Sequence, residues 1–221
     1  MTMTQNPVRV RFAPSPTGHT HLGSGRTALY DYLMARQSGG QFILRIEDTD
    51  KKRYVLNAEQ ELIDSLHWLG LNWDEGPDVG GPYGPYRQSE RRDIYQDYIN
   101  RIIDSGNAYY CFCSADKLEK VRQEQQRQKQ NPRYDGTCRK LDAGEALKRV
   151  ANGEKHVVRF KMPPEGSITV RDRLRGEITV DNASLDDSII VRSDGLPVYH
   201  LAAMVDDHLM KITHVIRGSE W

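Results

Sequence analysis

At 221 residues, with 38% hydrophobic and 28% charged side chains, the chain can form one large domain or two modest ones, and it is not a disordered segment. Its 31 basic and 31 acidic residues cancel, so overall charge announces no nucleic-acid partner. No apolar run approaches the ~20 residues that span a bilayer. Met1 to Pro7 has neither the cationic start nor the apolar stretch of a secretion signal, so the expected compartment is the cytoplasm, away from membranes.

In chain order, Val8-Arg-Val-Arg-Phe12 reads as a strand broken by Pro14 and Pro16. Leu22, Leu29, Tyr32 and Leu33 recur at helical spacing until Gly39-Gly40 ends the run. Gln41-Phe-Ile-Leu-Arg-Ile46 predicts a second strand, and Leu56, Leu62, Ile63, Leu66 and Leu69 one face of a second helix, ended by Gly70. This βαβα order argues for a parallel sheet with right-handed crossovers. Gly76 to Pro85 is a Gly/Pro-rich loop, and Ile94, Tyr95, Tyr98, Ile102 and Ile103 mark a helix closed at Gly106. Lys117 to Gln130 reads as a surface helix with few apolar anchors.

Beyond Lys155 the pattern changes to short alternating runs: His156–Phe160, Ser167–Val170, Gly176–Val180 and Ser188–Val191. Turn signals between them, including Pro163-Pro-Glu-Gly166 and Asp194-Gly195, predict antiparallel strands. Lys211–Ile216 reads as a further buried strand. The simplest architecture is α/β: a Rossmann-like parallel-sheet nucleotide-binding domain over residues 1–86 and 196–221, with an α+β insertion over residues 87–195.

In open parallel sheets, ligands bind beyond the carboxyl ends of the strands. Here those ends carry Arg11-Phe-Ala-Pro-Ser-Pro-Thr-Gly18, Glu47-Asp-Thr-Asp50 and Arg217-Gly-Ser-Glu-Trp221. If the strands are neighbours, two arginines and a carboxylate converge, which suits a small zwitterion. Ordinary solvated strand ends tied by salt bridges would carry the same residues. His19-Thr-His21-Leu-Gly23-Ser24 leads into a helix, whose free N–H groups bind phosphate. Gly23 would let a nucleotide approach the backbone, and His21 could donate to phosphate charge in a transition state.

The three cysteines make no paired framework, and Cys111 and Cys113 are too close for an ordinary bridge, which leaves reduced thiols or a metal site. Between Ser114 and Lys140 there are eight Lys or Arg against four Asp or Glu, a surplus that a solvated helix face also explains.

Arg11–Gly18 followed by His21-Leu-Gly23-Ser24 resembles the ATP-binding signature of class I aminoacyl-tRNA synthetases in its glutamate-specific form. Arg45-Ile-Glu-Asp-Thr-Asp50, Glu75–Gly81, Pro85–Glu90, Tyr134-Asp-Gly136, Val205-Asp-Asp-His208 and Val215-Ile-Arg-Gly218 fit the same family in the same order. Glutaminyl relatives show Pro-Glu-Pro-Asn where this chain has Pro14-Ser-Pro-Thr17. The short glutamyl-queuosine enzymes lack the Gly/Pro loop before Gln88. The resemblance is therefore to the N-terminal catalytic part of bacterial-type glutamyl-tRNA synthetases.

That resemblance implies ATP-dependent activation of L-glutamate to glutamyl-adenylate, with Mg2+, and transfer to the 3′ end of tRNA(Glu) by a monomer. Arg11 would meet the glutamate side-chain carboxylate; Ala13 (through its backbone), Ser15 and Glu47 the amino group; Tyr199 and Arg217 would complete that pocket. Thr17, His21, Gly23 and Ser24 would form the catalytic ATP site, joined by Glu220 and by Trp221 near the adenine. Ala203 stands where some relatives have Asn. Residues 87–195 would be the acceptor-stem-binding insertion. Some relatives hold zinc there through Cys-x-Cys and Cys-x-His. Cys111, Cys113 and Cys138 match the thiols, Lys140 replaces the His and cannot ligate, and Tyr134 or a water is a conceivable fourth ligand. The family's lysine-rich Lys-Met-Ser-Lys-type loop does not occur up to Trp221, so a truncated fragment, inactive alone, is expected.

Two other classes fit parts of the chain. A non-catalytic RNA-binding module would use residues 114–140 as its basic face and bind tRNA without ATP. A nucleotidyltransferase with the same His-x-Gly fold would act on a small molecule, but has no reason to carry the insertion.

Overall fold

The computed structural model of the chain describes residues 7–50 and 55–218. Its elements are β1 (Arg9–Phe12), α1 (Leu22–Ser38), β2 (Gln41–Leu44), α2 (Ala58–Trp68), α3 (Arg92–Asp104), β3 (Ala108–Cys111), α4 (Ala115–Arg127), α5 (Ala143–Ala151), β4 (Val157–Phe160), β5 (Ser167–Asp172), β6 (Gly176–Asp181), β7 (Ile189–Val191) and α6 (Tyr199–Leu209). They fall into two compact units, one of residues up to Tyr95 together with those from Tyr199, the other Gln96–Val198.

In the first unit β1 and β2 pair in parallel, Arg9 opposite Gln41 and Phe12 opposite Leu44, with α1 as the crossover. All four residues of β1 are buried, as expected of a parallel strand covered on both faces. The crossover closes tightly. Gly39 ends α1 in the left-handed conformation, and a Cβ on Gly40 would strike the Val8 carbonyl that accepts the Gln41 N–H at 2.8 Å. On the other edge of β2 the chain passes twice in parallel. Leu44 N–H reaches Glu75 O at 2.9 Å, then Ile46 N–H reaches Tyr86 O at 2.9 Å and Gln88 N–H reaches Ile46 O at 3.0 Å. The Gly/Pro loop between these passes is pinned at its base, where Glu75 accepts from Tyr86 Oη at 2.6 Å and from Arg9 Nη1 at 2.7 Å.

The residues that signal α1 in the sequence are not those that pack it. Leu22, Leu29 and Leu33 are exposed, and the buried stripe is Gly25, Ala28, Asp31 and Ala35. Small side chains at that spacing bring the helix axis close to the sheet. In α2, Leu62, Ile63 and Leu66 are buried against Val10, Phe42 and Trp73 in one core, while Leu56 and Leu69 lie outside the helix and are exposed.

Two segments depart from expectation. Lys211–Ile216 is not a strand. Consecutive amides of Thr213 and His214 both converge on Arg9 O, at 2.9 and 3.3 Å, so the two-residue period of a parallel ladder is broken at its first step. Conversely, the sequence signals no element at Tyr199–Leu209, because the apolar run Leu201–Val205 carries no readable period, yet it forms α6. Asp206 of this helix has no accessible surface and accepts from Arg91 Nε at 2.7 Å, Gln88 Nε2 at 2.9 Å and Tyr95 Oη at 2.9 Å.

In the second unit β3, β4 and β7 form an antiparallel sheet in the order β3–β4–β7, and β5 and β6 form a separate antiparallel ribbon. Helix α4 is capped by Ser114 and buries no residue, in keeping with a surface helix. Among the described residues no helix is long and apolar enough to cross a membrane.

Removing one partner of a buried ion pair costs ~3–5 kcal/mol, because it strands the other charge. Asp206→Ala is therefore expected to lower unfolding stability by about that amount, measured by urea titration. A loss below about 1 kcal/mol would show that the node is only a surface-grade contact.

Candidate active site

The loop Ala13–Thr20 runs from β1 into α1, where a cleft of about 150 Å3 is lined by Ser15, Thr17, His21 and Ser24, with Ala58 and Leu62 of α2 as its far wall. His21 is the N-cap of α1, its Nδ1 accepting the Gly23 N–H at 3.1 Å. An imidazole nitrogen that accepts carries no proton, so in the neutral ring the proton sits on Nε2. His21 is exposed, and Nε2–H is thereby a donor held in fixed orientation at the helix N-terminus. Gly23 is needed for this arrangement, since a Cβ there would lie 2.9 Å from Nδ1 and Cε1 of the ring. On sequence grounds Gly23 has only the role of admitting a nucleotide; the capping ring is a second reason for it.

Where β1 and β2 end, four charged side chains are joined. Arg11 Nε donates to Asp207 Oδ1 at 3.0 Å, and Arg45 Nη1 donates to the same oxygen at 2.6 Å. Arg45 Nη2 donates to Glu47 Oε1 at 2.9 Å. Arg45 has no accessible surface; burial works against its charge, but Glu47, Asp207 and Asp206 outweigh burial and keep the guanidinium ionised. Burial pushes the Glu47 carboxyl above its ordinary value, with Arg45 pulling the other way. The Nη atoms of Arg11 have no hydrogen-bond partner among the described residues, and they are not among the sealed, partnerless nitrogens. An end-on fork for a carboxylate is left open.

Ala13 lies between the Phe12 and Pro14 carbonyls, which accept from Arg45 N–H at 3.0 Å and Glu47 N–H at 2.9 Å, so the loop is registered against the same segment. Tyr199 is half-buried at the start of α6, and Ala203 is buried on that helix. Arg217 is exposed. Glu220 and Trp221 lie outside the described residues. Arg45, Asp206 and Asp207 fall in segments that carry the family resemblance, but the sequence assigns them no role, although consecutive carboxylates beside an apolar run offer a signal for buried ion pairs.

In the second unit the Sγ atoms of Cys111, Cys113 and Cys138 lie within 4.8 Å of one another, and Cys113 and Cys138 are 3.6 Å apart. Tyr134 Oη is 3.4 Å from Cys111 Sγ and 3.6 Å from Cys113 Sγ. A tetrahedral zinc sets ligand sulfurs ~3.8 Å apart and sulfur and oxygen ~3.5 Å apart, values close to the Cys113–Cys138 and the two Tyr134 distances. Burial opposes ionisation of Cys111, yet hydrogen bonds from Tyr134 and Arg159 hold its thiol below the ordinary range; burial pushes Cys113 up to about 11. Lys140 is exposed.

The first unit is thus a parallel-sheet domain with a loop cleft at a helix N-terminus and an arginine–carboxylate cluster at its strand ends. Residues 7–221 match the family described as tRNA synthetases class I (E and Q), catalytic domain, and the chain belongs to that family. It is 55% identical to the glutamate–tRNA ligase of Ectopseudomonas mendocina over 214 residues, 97% of this chain and 43% of that one. The glutamate–tRNA ligase of Dehalococcoides mccartyi is 54% identical over 216 residues, 98% of this chain and 43% of its own. The crystal structure of a glutamate tRNA ligase from Elizabethkingia meningosepticum, in complex with its amino acid, superposes with a TM-score of 0.92 at 48% identity, over 98% of this chain and 44% of that one. The chain thus spans less than half the length of these relatives.

One further buried charge lies within range of Arg11. Asp31 on α1 has no accessible surface and neither oxygen has a hydrogen-bond partner. Burial raises its carboxyl from 3.8 to about 8, with Arg11 opposing. The folded chain therefore keeps a proton that the unfolded chain releases. The stability this confers is full below pH 3.8 and is lost as pH rises to about 8. Asp31→Asn, which is neutral throughout, should melt several degrees above the unaltered chain at pH 8, with the gap narrowing at pH 5; an equal gap at both values would contradict the assignment.

Proposed function

We propose that the chain is the glutamate- and ATP-handling catalytic domain of a cytoplasmic, monomeric glutamate–tRNA ligase. The observation that carries this reading is the open Nη fork of Arg11, linked through Asp207 and Arg45 to Glu47. The fork takes the side-chain carboxylate of L-glutamate, and Glu47, the Ala13 backbone and Ser15 take the ammonium, with Tyr199 and Arg217 completing the pocket. A neutral glutamine amide would leave the Arg11 guanidinium without a countercharge, which is how the site rejects it.

ATP lies over the loop cleft, with Thr17, Gly23, Ser24 and the α1 N-terminus toward its phosphates. Mg2+ neutralises phosphate charge when bound. The α-carboxylate oxygen of glutamate attacks the α-phosphorus, the bond to the β-phosphate bridging oxygen breaks, and pyrophosphate leaves. The His21 Nε2–H donates to the charge that develops on the phosphate. A hydroxyl of the terminal ribose of tRNA(Glu) then attacks the acyl carbon and AMP leaves. Catalysis is by positioning and charge stabilisation, without a covalent enzyme intermediate.

The inserted unit is proposed to bind the tRNA acceptor stem, with residues 114–140 as its basic face. Cys111, Cys113, Cys138 and Tyr134 would hold a structural zinc, which pins β3 to the Thr137–Lys140 turn. The clustering of the three thiols, with Tyr134 Oη at zinc-ligand spacing from two of them, supports this.

In a full-length ligase carrying this chain, Arg11→Ala is expected to reduce tRNA-dependent, glutamate-dependent pyrophosphate exchange by at least about 100-fold without changing the melting temperature by more than a few degrees; unchanged exchange would sink the glutamate assignment. Protein purified without chelator is expected to carry about one zinc per chain, measured by elemental analysis. Absence of stoichiometric metal would rule the zinc out.

A further inference from the structure

We propose that Asp207 is the residue that positions Arg11 for its ligand and so sets the preference for an acid over its amide. The inference rests on the reading of Arg11 as the group that meets the substrate's side-chain carboxylate. Arginine offers a carboxylate two edges, one through Nε and one Nη, the other through both Nη atoms. Asp207 Oδ1 occupies Nε at 3.0 Å, which removes the first edge and fixes the guanidinium plane. The Nη pair, without a partner among the described residues, is the edge that remains.

The positioner is itself positioned. Asp207 Oδ1 also accepts from Arg45 Nη1 at 2.6 Å, and Arg45 has no accessible surface. Arg45 Nη2 in turn holds Glu47 at 2.9 Å. The series Arg11–Asp207–Arg45–Glu47 thus ties a cation and an anion at opposite ends of a single relay. The two ends cannot shift independently, which suits a ligand that carries a carboxylate and an ammonium at fixed separation. The neighbouring Asp206 anchors the helix that carries Asp207 from below, through Arg91, Gln88 and Tyr95. Asp207 keeps 23% of its side-chain surface, more than any of the other three members of the relay, so it stands at the edge where the buried node meets the crevice.

The role is one of orientation, and that separates it from simple structural support. A lesion that only loosened the fold would weaken glutamate and glutamine binding alike. Loss of orientation lowers affinity for the acid selectively, since only the acid uses the Arg11 fork.

The test is calorimetric titration of the chain with L-glutamate and L-glutamine, for the unaltered protein and for Asp207→Ala, Asp207→Asn and Arg11→Ala. Asp207→Ala is expected to cut the glutamate-to-glutamine preference at least about tenfold. Asp207→Asn, whose amide oxygen still accepts from Nε, is expected to keep the preference within about threefold of the unaltered chain. A preference unchanged in Asp207→Ala but lost in Arg11→Ala overturns the role of Asp207 and leaves the Arg11 reading standing. No preference in the unaltered chain, or an unchanged one in Arg11→Ala, overturns that reading instead. Should Asp207→Ala not fold, side-chain nitrogen NMR of the unaltered chain decides. The Arg11 Nε–H is expected to exchange slowly with solvent before and after glutamate addition, and exchange at the free-arginine rate overturns the proposal.

Discussion

A buried guanidinium must be met by a carboxylate, and in the first unit that requirement is satisfied by two adjacent residues of one helix. Asp206 takes Arg91, Gln88 and Tyr95, while Asp207 takes Arg11 and Arg45. Together they bind α6 to β1, to β2 and to the start of α3. Water cannot replace the contacts among Arg45, Asp206 and Arg91, because Arg45 and Asp206 have no accessible surface and Arg91 almost none. The strength of such a node lies less in its net energy than in the charge left stranded when one member is removed. It fixes one arrangement of the strand ends, where the substrate groups are proposed to sit.

The two halves of the crevice solve different problems. The loop after β1 presents neutral donors, the α1 N-terminus and a histidine whose tautomer is set by its own capping bond. Such donors suit phosphate, which is strongly charged already. The Arg11–Asp207–Arg45–Glu47 relay presents fixed charges of both signs, which suits an amino acid that is itself doubly charged. Asp31 stands apart, as a carboxyl kept neutral by burial near an arginine. In its protonated form it leaves the full positive charge of Arg11 to the crevice.

Much of this was legible in the chain. The βαβ frame followed from Val8–Phe12, the Gly39-Gly40 stop and Gln41–Ile46, because parallel strands buried on both faces read as short apolar runs. The loop cleft followed from a proline-broken strand end leading into His21 and Gly23. The features that stayed hidden depended on partners remote in sequence. Helix α6 is hidden because the apolar run Leu201–Val205 carries no readable period, and Asp207 stands beside Arg11 only in three dimensions, 196 positions away in the chain. The inner face of α1 was misleading in the same way, for the residues that bring it close to the sheet are small. Lys211–Ile216 has the composition of a strand, but composition does not reveal that Thr213 and His214 share one acceptor.

Arg11 and Glu47 are proposed to receive opposite ends of one amino acid. The structure of the chain with L-glutamate bound tests it most directly. The side-chain carboxylate is expected on the two Nη atoms of Arg11, with Nε still on Asp207, and the ammonium beside Glu47. Glutamate bound with its side-chain carboxylate away from Arg11, or with Arg11 turned from Asp207 to reach it, would contradict the claim.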